Sequence, residues 1–325
     1  MRILVTGGAG YVGSHTVEAL IASKHKVVVF DDLSMGHRQA VHPRAQFFKG
    51  DLRKKADVAK VFKKSKFDAV FHFAARSLVG ESMRDPMLYL GDNVVSAVNL
   101  FEEMIKNEVG KFILSSTANL FGDPTKIPIS EKEAITPGSP YGESKNIIER
   151  ELFWLDKTVG MKYSCLRYFN AAGASLSGKI GEDHRKETHL IPCLISAALE
   201  NKKFIVNGND YKTPDGTCIR DYVHVSDLAR AHLLALKAIG SKSRIYNLGS
   251  GKGYSIIEVI RTVEKETGKK INFGFGPRRA GDPDKLIASS ARIKKELGWK
   301  PKYSLTEIVE SAYKWHLSHP KGYTK

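Results

Sequence analysis

At 325 residues, with 42% hydrophobic and 26% charged side chains, the chain has the composition of an ordinary globular protein with a large core, arranged as one large domain or two smaller ones. Its formal charge of +16 is spread over short groups such as Arg53–Lys55, Lys63–Lys64, Lys202–Lys203, Lys269–Lys270 and Lys294–Lys295, with no long basic tract and no aromatic-interleaved patch, which favours a solvated lysine-rich surface that attracts anionic substrates over nucleic-acid binding. Apolar runs such as 68–75 fall short of the roughly 18 residues a membrane helix needs, no leader fits ahead of Ile3–Val5, and Cys165, Cys193 and Cys218 form no Cys-x-x-Cys pair, so the expectation is a cytoplasmic protein with no membrane partner and no nucleic-acid partner.

Up to residue 170, short β-branched runs alternate with longer helical patterns. Strands are expected at 2–6, 26–30, 45–49, 68–73, 111–115 and 162–167, and helices near 12–22, 54–65, 84–108 and 141–157. That alternation is the signature of βαβ units feeding a parallel sheet, so the fold class is α/β, a Rossmann-type doubly wound parallel sheet with a smaller mixed α/β substrate-binding region. The cofactor-binding domain is expected to span 1–170, with returning segments near 219–248 that include a strand at Ile245–Leu248. The substrate region is expected at 171–218 and 249–325, beginning with the irregular loop Ala171–Gly178.

The first strand runs into Thr6-Gly7-Gly8-Ala9-Gly10-Tyr11-Val12-Gly13, which opens a helix. Gly7, Gly10 and Gly13 allow a tight turn, close approach of a pyrophosphate and close helix–strand packing, with Tyr11 and Val12 at the helix N-terminus that attracts negative charge. An unliganded strand-to-helix turn is the other reading. Asp31 ends the next strand, where a carboxylate accepts from ribose hydroxyls and repels a 2′-phosphate, so NAD is favoured over NADP. Asp51 stands after Phe47–Gly50, near an adenine pocket or as a loop cap.

Ser139-Pro140-Tyr141-Gly142-Glu143-Ser144-Lys145 is the most informative stretch. Ser139 can cap a helix with Pro140 at its first position, which puts Tyr141 in the first turn and Lys145 one turn later on the same face. A tyrosine needs its pKa of about 10 lowered to act as a base near neutrality. A nearby ammonium, the positive helix end and a positive nicotinamide would all favour phenolate. A surface Tyr/Lys pair is the bland alternative.

Together these motifs resemble the extended short-chain dehydrogenase/reductase family, with its Tyr-x-x-x-Lys signature and a Ser/Thr near the end of an earlier strand. The third member is then Thr117 in Leu114-Ser115-Ser116-Thr117-Ala118-Asn119. The resemblance runs through essentially the whole chain and narrows to the NAD-dependent nucleotide-sugar epimerases. It is carried by Gly50-Asp51, Phe73-Ala74-Ala75, Val79–Ser82, Leu166–Gly173, Asp215–Tyr222, Tyr246–Gly249 and Arg278-Arg279-Ala280-Gly281-Asp282-Pro283.

The resemblance implies interconversion of UDP-galactose and UDP-glucose by transient oxidation at C4, with Thr117, Tyr141 and Lys145 catalytic, tightly bound NAD and a homodimer. Phe73, Asn93 and Ser115 would line the cofactor site and Tyr168 would lie beside the nicotinamide. Asn170 and His189 would lie near the UDP-sugar, the backbone around Phe204–Asn207 would hold uracil, Arg220 and Arg279 would clamp the diphosphate, and Asp282 would accept from the uridine ribose. Leu286 would border the hexose, as an intermediate-sized gate that prefers UDP-galactose to its N-acetylated counterpart, or else pack in the core. Leu90-Gly91-Asp92 departs from the family's usual Tyr-x-Asn ahead of Asn93.

Two rivals stay open. A nucleotide-sugar 4,6-dehydratase shares the opening oxidation, but its relatives carry Asp-Glu where this chain has Ala118-Asn119. A catalytically silent NAD-sensing protein would retain the glycine loop and Asp31. His184 and His189, near Glu182 and Asp183, match no metal motif, and no metal is expected.

Overall fold

The structure, a computed structural model, describes residues 1–240, 242–279 and 282–323. Strands β1 (Arg2–Thr6), β2 (Lys26–Asp31), β3 (Gln46–Lys49), β4 (Ala69–His72), β5 (Lys111–Thr117) and β6 (Lys162–Tyr168) alternate with helices α1 (Tyr11–Ala22), α2 (Lys55–Lys64), α3 (Val79–Ser82), α4 (Pro86–Lys106) and α5 (Pro140–Val159). Then come β7 (Asn170–Ala172), α6 (Leu190–Glu200), β8 (Phe204–Asn207), β9 (Ile219–Arg220), β10 (Tyr222–His224), α7 (Val225–Ala238) and β11 (Arg244–Leu248). The chain ends with β12 (Tyr254–Ser255), α8 (Ile256–Thr267), β13 (Phe273–Gly276), β14 (Lys285–Leu286), α9 (Ala291–Leu297) and α10 (Leu305–Ser318).

Two compact units emerge. The first comprises Met1–Gly122, Ala134–Arg167 and Ala229–Tyr246; the second comprises Asp123–Glu133, Tyr168–Leu228 and Asn247–Lys325. The segment 123–133 and residues 168–170 and 219–228 therefore group with the second unit.

A seven-stranded sheet has the order β11-β6-β5-β4-β1-β2-β3, and its registers from β3 to β5 are parallel. The strand order reverses between β1 and β4, the switch point at which doubly wound sheets bind ligands beyond their carboxyl ends. The run at 245–248 does return to this sheet as its edge. The helical pattern expected over 84–108 starts at Pro86 because Asp85 caps it, accepting from the Leu88 N–H at 3.2 Å; the short α3 precedes it.

α5 begins as its residues dictate. The Ser139 hydroxyl accepts from the Gly142 N–H at 3.1 Å, Pro140 takes the first position, and Gly160 ends the helix at φ 75°. One face of the sheet buries Val28, Val70, Phe112 and Leu114 in a cluster with Val58 and Phe62 of α2, Leu100 and Phe101 of α4, and Ile148 and Leu152 of α5. Each such side chain contributes roughly 1.5–3 kcal/mol by leaving water, which holds α5 rigidly over β5.

The second unit has its own core of Ile191, Leu194 and Ile195 on α6, Val259, Ile260 and Val263 on α8, and Ile308 and Val309 on α10. Smaller sheets, β12-β9-β14, β13-β8 and β10-β7, complete it. Among the described residues no helix is long and apolar enough to cross a membrane.

Candidate active site and nucleotide-binding residues

In the first unit, the glycine loop closes against the end of β4. Gly7 has φ +71°, and a Cβ added there would stand 2.4 Å from the Ala74 backbone nitrogen; at Gly13 it would stand 2.2 Å from the Gly7 carbonyl oxygen. No side chain fits either position, so bare backbone lines the turn before Tyr11, Val12 and Gly13 in the first turn of α1. Gly10 sits between, its N–H donating to the Gly7 carbonyl at 3.1 Å. Such a cradle fits a dinucleotide pyrophosphate.

Asp31 ends β2, buried, with Oδ2 accepting from the Ala9 N–H at 3.0 Å and Oδ1 from the Leu33 N–H at 2.9 Å. Burial raises its pKa, and the two backbone donors work against the rise. The carboxylate is thus fastened to the glycine loop while keeping lone pairs for another donor. Asp51 is engaged by Arg53, which reaches it with Nε at 2.9 Å and Nη2 at 2.8 Å. These bonds hold Asp51 below the usual carboxylate range.

Phe73 stacks near His232, ring centroids 4.8 Å apart. Asn93 is buried on α4, accepting from the Arg76 N–H at 2.8 Å and donating to Ser144 Oγ at 2.9 Å. Ser115 is buried on β5. The departure at Asp92 has a physical account, because Asp92 Oδ2 receives Arg53 at 2.9 Å and Arg76 at 2.8 Å.

Thr117 ends β5, and its buried hydroxyl oxygen accepts from the Asn119 N–H at 3.1 Å and from Asn119 Nδ2 at 3.2 Å. The same hydroxyl opposes the burial that raises the Tyr141 phenol. Tyr141 and Lys145 are buried on α5, not displayed on a surface. The Lys145 Nζ has no hydrogen-bond partner among the described residues. A buried ammonium without an acceptor is costly, so this amine is available to an acceptor on a ligand.

Burial pushes the Tyr141 phenol up to about 12, with the Thr117 hydroxyl pulling the other way. Burial also brings Lys145 down to about 8, against the opposing charge of Glu149. Positive charge brought by a ligand would favour the phenolate against this burial. His72, at the end of β4, accepts or donates to Thr6 Oγ1 through Nδ1 at 2.8 Å, and burial and then the Lys145 charge hold it neutral, down to about 3.

In the second unit, Arg220 of β9 is buried and donates through Nη2 to Asp282 Oδ1 at 2.5 Å and to the Pro283 carbonyl at 2.8 Å. Asp282 also accepts from the Tyr211 hydroxyl at 3.3 Å. Two residues expected at different parts of a UDP-sugar thus hold one another. With its amide oxygen toward Arg279, Asn207 accepts from Nε at 3.1 Å and Nη2 at 3.3 Å. Ala280 and Gly281 of that motif lie outside the described residues.

Leu286 is half-buried in β14, in parallel register with Arg220. Asn170, in β7, donates through Nδ2 to the Asp221 carbonyl at 3.0 Å, and Tyr168 closes β6. His189 precedes α6, its Nδ1 2.8 Å from Glu187 Oε1 and 3.0 Å from Glu182 Oε1. Burial works against its charge, but the two carboxylates raise it to about 10, so it stands as an imidazolium. His184 Nδ1 meets Glu187 Oε2 at 3.0 Å.

The four groups Glu182, His184, Glu187 and His189 lie within 4.8 Å of one another, and they satisfy each other as imidazole–carboxylate pairs. Glu187 Oε1 also accepts from the backbone N–H groups of Thr188 and His189, each at 2.7 Å.

Sequence reasoning missed His72, Glu149, Glu187 and Asp221. His72 was hidden in an apolar run and Glu149 on a helix rich in surface charge, although its spacing of four from Lys145 was a signal. Asp221 belongs to a recognised motif, yet what it does is structural: it accepts from the Ser250, Gly251 and Ala288 N–H groups at 2.7, 3.0 and 3.1 Å.

Residues 3–249 match the NAD dependent epimerase/dehydratase family. The sequence is similar to UDP-glucose 4-epimerase of Lactobacillus helveticus, 47% identical over 99% of each chain. A crystal structure of a UDP-glucose 4-epimerase superposes with a TM-score of 0.97 at 47% identity, covering 100% of both chains. UDP-glucose 4-epimerase from Bifidobacterium longum, solved in complex with NAD+ and UDP, superposes with a TM-score of 0.96 at 35% identity, covering 99% of this chain and 100% of the other.

Proposed function

The chain belongs to the NAD dependent epimerase/dehydratase family, and from that membership we infer that it is an NAD-dependent isomerase interconverting UDP-galactose and UDP-glucose at C4. The observation that carries the reading is the buried trio of Thr117, Tyr141 and Lys145, with the lysine amine left without a hydrogen-bond partner among the described residues. When bound, NAD would supply a hydride acceptor and donor for C4, so that oxidation and reduction balance with no net redox change.

Tyr141 takes the proton of the sugar 4-hydroxyl and later returns it. Thr117 aligns that hydroxyl. Lys145 holds a cofactor ribose and lends its charge to the phenolate. Arg220 and Arg279, with their fixed planar donors, bind the diphosphate, Asp282 accepts from the uridine ribose, and the backbone at Phe204–Asn207 holds uracil. For the diphosphate to bind, Arg220 has to share or exchange its Asp282 contact. With the diphosphate anchored, the 4-keto hexose turns about the bonds joining it to the phosphate and presents its other face.

Asn170 and His189 face the sugar–phosphate, and Leu286 borders the hexose. The dinucleotide rests on Gly7, Gly10, Tyr11, Val12 and Gly13, with Asp31 on the adenosine ribose, Asp51 at the adenine, and Phe73, Asn93, Ser115 and Tyr168 completing its site. The domain at 1–170 with the segments near 219–248 thereby serves NAD, and 171–218 with 249–325 serves the UDP-sugar.

Assembly as a homodimer is supported by Met87 and Val95 on α4 and Phe153 and Trp154 on α5, all exposed on two helices that pack together; sedimentation at equilibrium tests it. Cytoplasmic placement is supported by three cysteines that are all free.

Incubation with UDP-galactose tests the activity. UDP-glucose forming without added reductant is the expected result, a 4-keto-6-deoxy product would make the chain a dehydratase, and no turnover by NAD-loaded protein would make it a sensor. The residues after Thr117, Ala118 and Asn119, offer no acid for the elimination.

A further inference from the structure

Glu149 lies one helical turn beyond Lys145 on α5 and is buried with it, 6% exposed. Its carboxylate ties three elements together. On β5, Ser116 donates its hydroxyl at 2.6 Å; on β6, Arg167 donates through Nε at 3.0 Å and Nη2 at 2.5 Å. Removing such a pair from water costs several kcal/mol per ion, and apolar residues of similar volume often serve a fold as well or better. Ile148 and Leu152, its neighbours on the helix, already fill the apolar interface with the sheet. Stability alone therefore does not account for a carboxylate at this position.

Its surroundings supply an account. The titratable groups around Lys145 are Tyr141 and Glu149 one turn to either side on its own helix, His72 from β4 and Cys165 from β6, with Arg167 against Glu149. Burial holds His72 neutral and raises the Cys165 thiol well above its ordinary value. Glu149 is the one carboxylate among these groups, and its charge opposes the burial that lowers Lys145.

We propose that Glu149 is a positioning residue for the reaction: its carboxylate, fixed by Ser116 and Arg167 one helical turn from Lys145, keeps that amine an ammonium whose charge can act on Tyr141 and on a cofactor ribose. The inference rests on the role given to Lys145 above. Arg167 in this arrangement is the anchor that sets the carboxylate's direction.

Two measurements separate this inference from the reading beneath it. In protein carrying ¹³C at the lysine ε carbons, the Lys145 resonance is assigned by its absence from Lys145→Met and followed with pH. Glu149→Gln should lower its titration midpoint by about one pH unit or more, the size of effect a close charge has; an unmoved midpoint in folded protein overturns the proposal. If the stranded Arg167 charge prevents folding, Ser116→Ala retains every charge and loosens only the carboxylate, so a fall of about half a unit is expected and no fall overturns the proposal.

The second measurement is a double-substitution cycle in kcat at about pH 9, above the Lys145 value of about 8, where a fall of one unit removes about nine-tenths of the remaining ammonium. A residue that acts through Lys145 adds nothing once Lys145 is gone, so Glu149→Gln should cost about tenfold alone and less than about twofold in the Lys145→Met background. Equal factors in both backgrounds assign Glu149 a structural role and refute the proposal. Wild-type activity in Lys145→Met would instead refute the role of Lys145 itself.

Discussion

Lys145→Met is the substitution whose effect can be worked furthest. Tyr141 sits at about 12 in the chain alone, and five units above neutrality correspond to about 7 kcal/mol that ligands and neighbouring charges have to supply for it to act as a base. Tyr141 and Lys145 share one helix face, one turn apart, a spacing that sets Cβ atoms about 6 Å from one another. At an effective dielectric constant of about 20, a unit charge about 6 Å from the phenolate would contribute about 2.8 kcal/mol, or about two pH units. The base must be deprotonated to work, so kcat rises as pH passes through the tyrosine's midpoint. Removing the ammonium should move that rise up by about two units. Below both midpoints the variant should turn over about a hundredfold more slowly, and the gap should close as pH climbs. The assay is conversion of UDP-galactose to UDP-glucose across pH 6 to about 10, in protein whose bound nucleotide has been released and quantified, so that lost cofactor is not mistaken for lost charge. A rate that falls by one constant factor at every pH would refute the electrostatic role.

Gly13→Ala puts a Cβ 2.2 Å from the Gly7 carbonyl oxygen, and the strain, about 1–3 kcal/mol, falls on the nucleotide cradle; purified variant should carry about tenfold less NAD, and undiminished nucleotide content would refute the cradle. His72 has a folded pKa of about 3 against an ordinary value of 6.5, so the unfolded chain binds a proton first as pH falls and stability is lost below about 6.5. From there to pH 4 this amounts to about 3 kcal/mol. His72→Asn, which keeps a partner for Thr6 and cannot titrate, should shrink the pH 7-to-4 loss in urea stability by that amount; an equal loss in both proteins contradicts the assignment. Leu286 lies half-buried beside Arg220 in the β9–β14 register, and if the N-acetyl group overpacks it by about 1–3 kcal/mol, UDP-galactose should be preferred about 5- to 150-fold in kcat/KM. Leu286→Ser should narrow that ratio, and an unchanged ratio in folded variant leaves Leu286 as core.

The parts of the site that could be read before the structure are those whose meaning is local. Gly7, Gly10 and Gly13 share one turn, and Tyr141 and Lys145 share one helix face, so spacing alone places them. Alternating patterns fixed the six strands to within two residues at either end because each strand is bounded by turns of its own. What local pattern cannot carry is the identity of neighbours brought from afar. Asp92 looks like a lost family residue until Arg53 and Arg76 converge on it. Glu149 reads as solvated charge until Arg167, 18 positions away, closes on it. The same limit applies at Tyr141. Spacing put Lys145 one turn from Tyr141, but desolvation depends on how completely α5 is buried against β5, and here it outweighs the Thr117 hydroxyl at Tyr141 and the Glu149 charge at Lys145. The consequence is mechanistic: positive charge brought to a buried phenol favours its ionisation, which would couple the proton transfer to a fully assembled site.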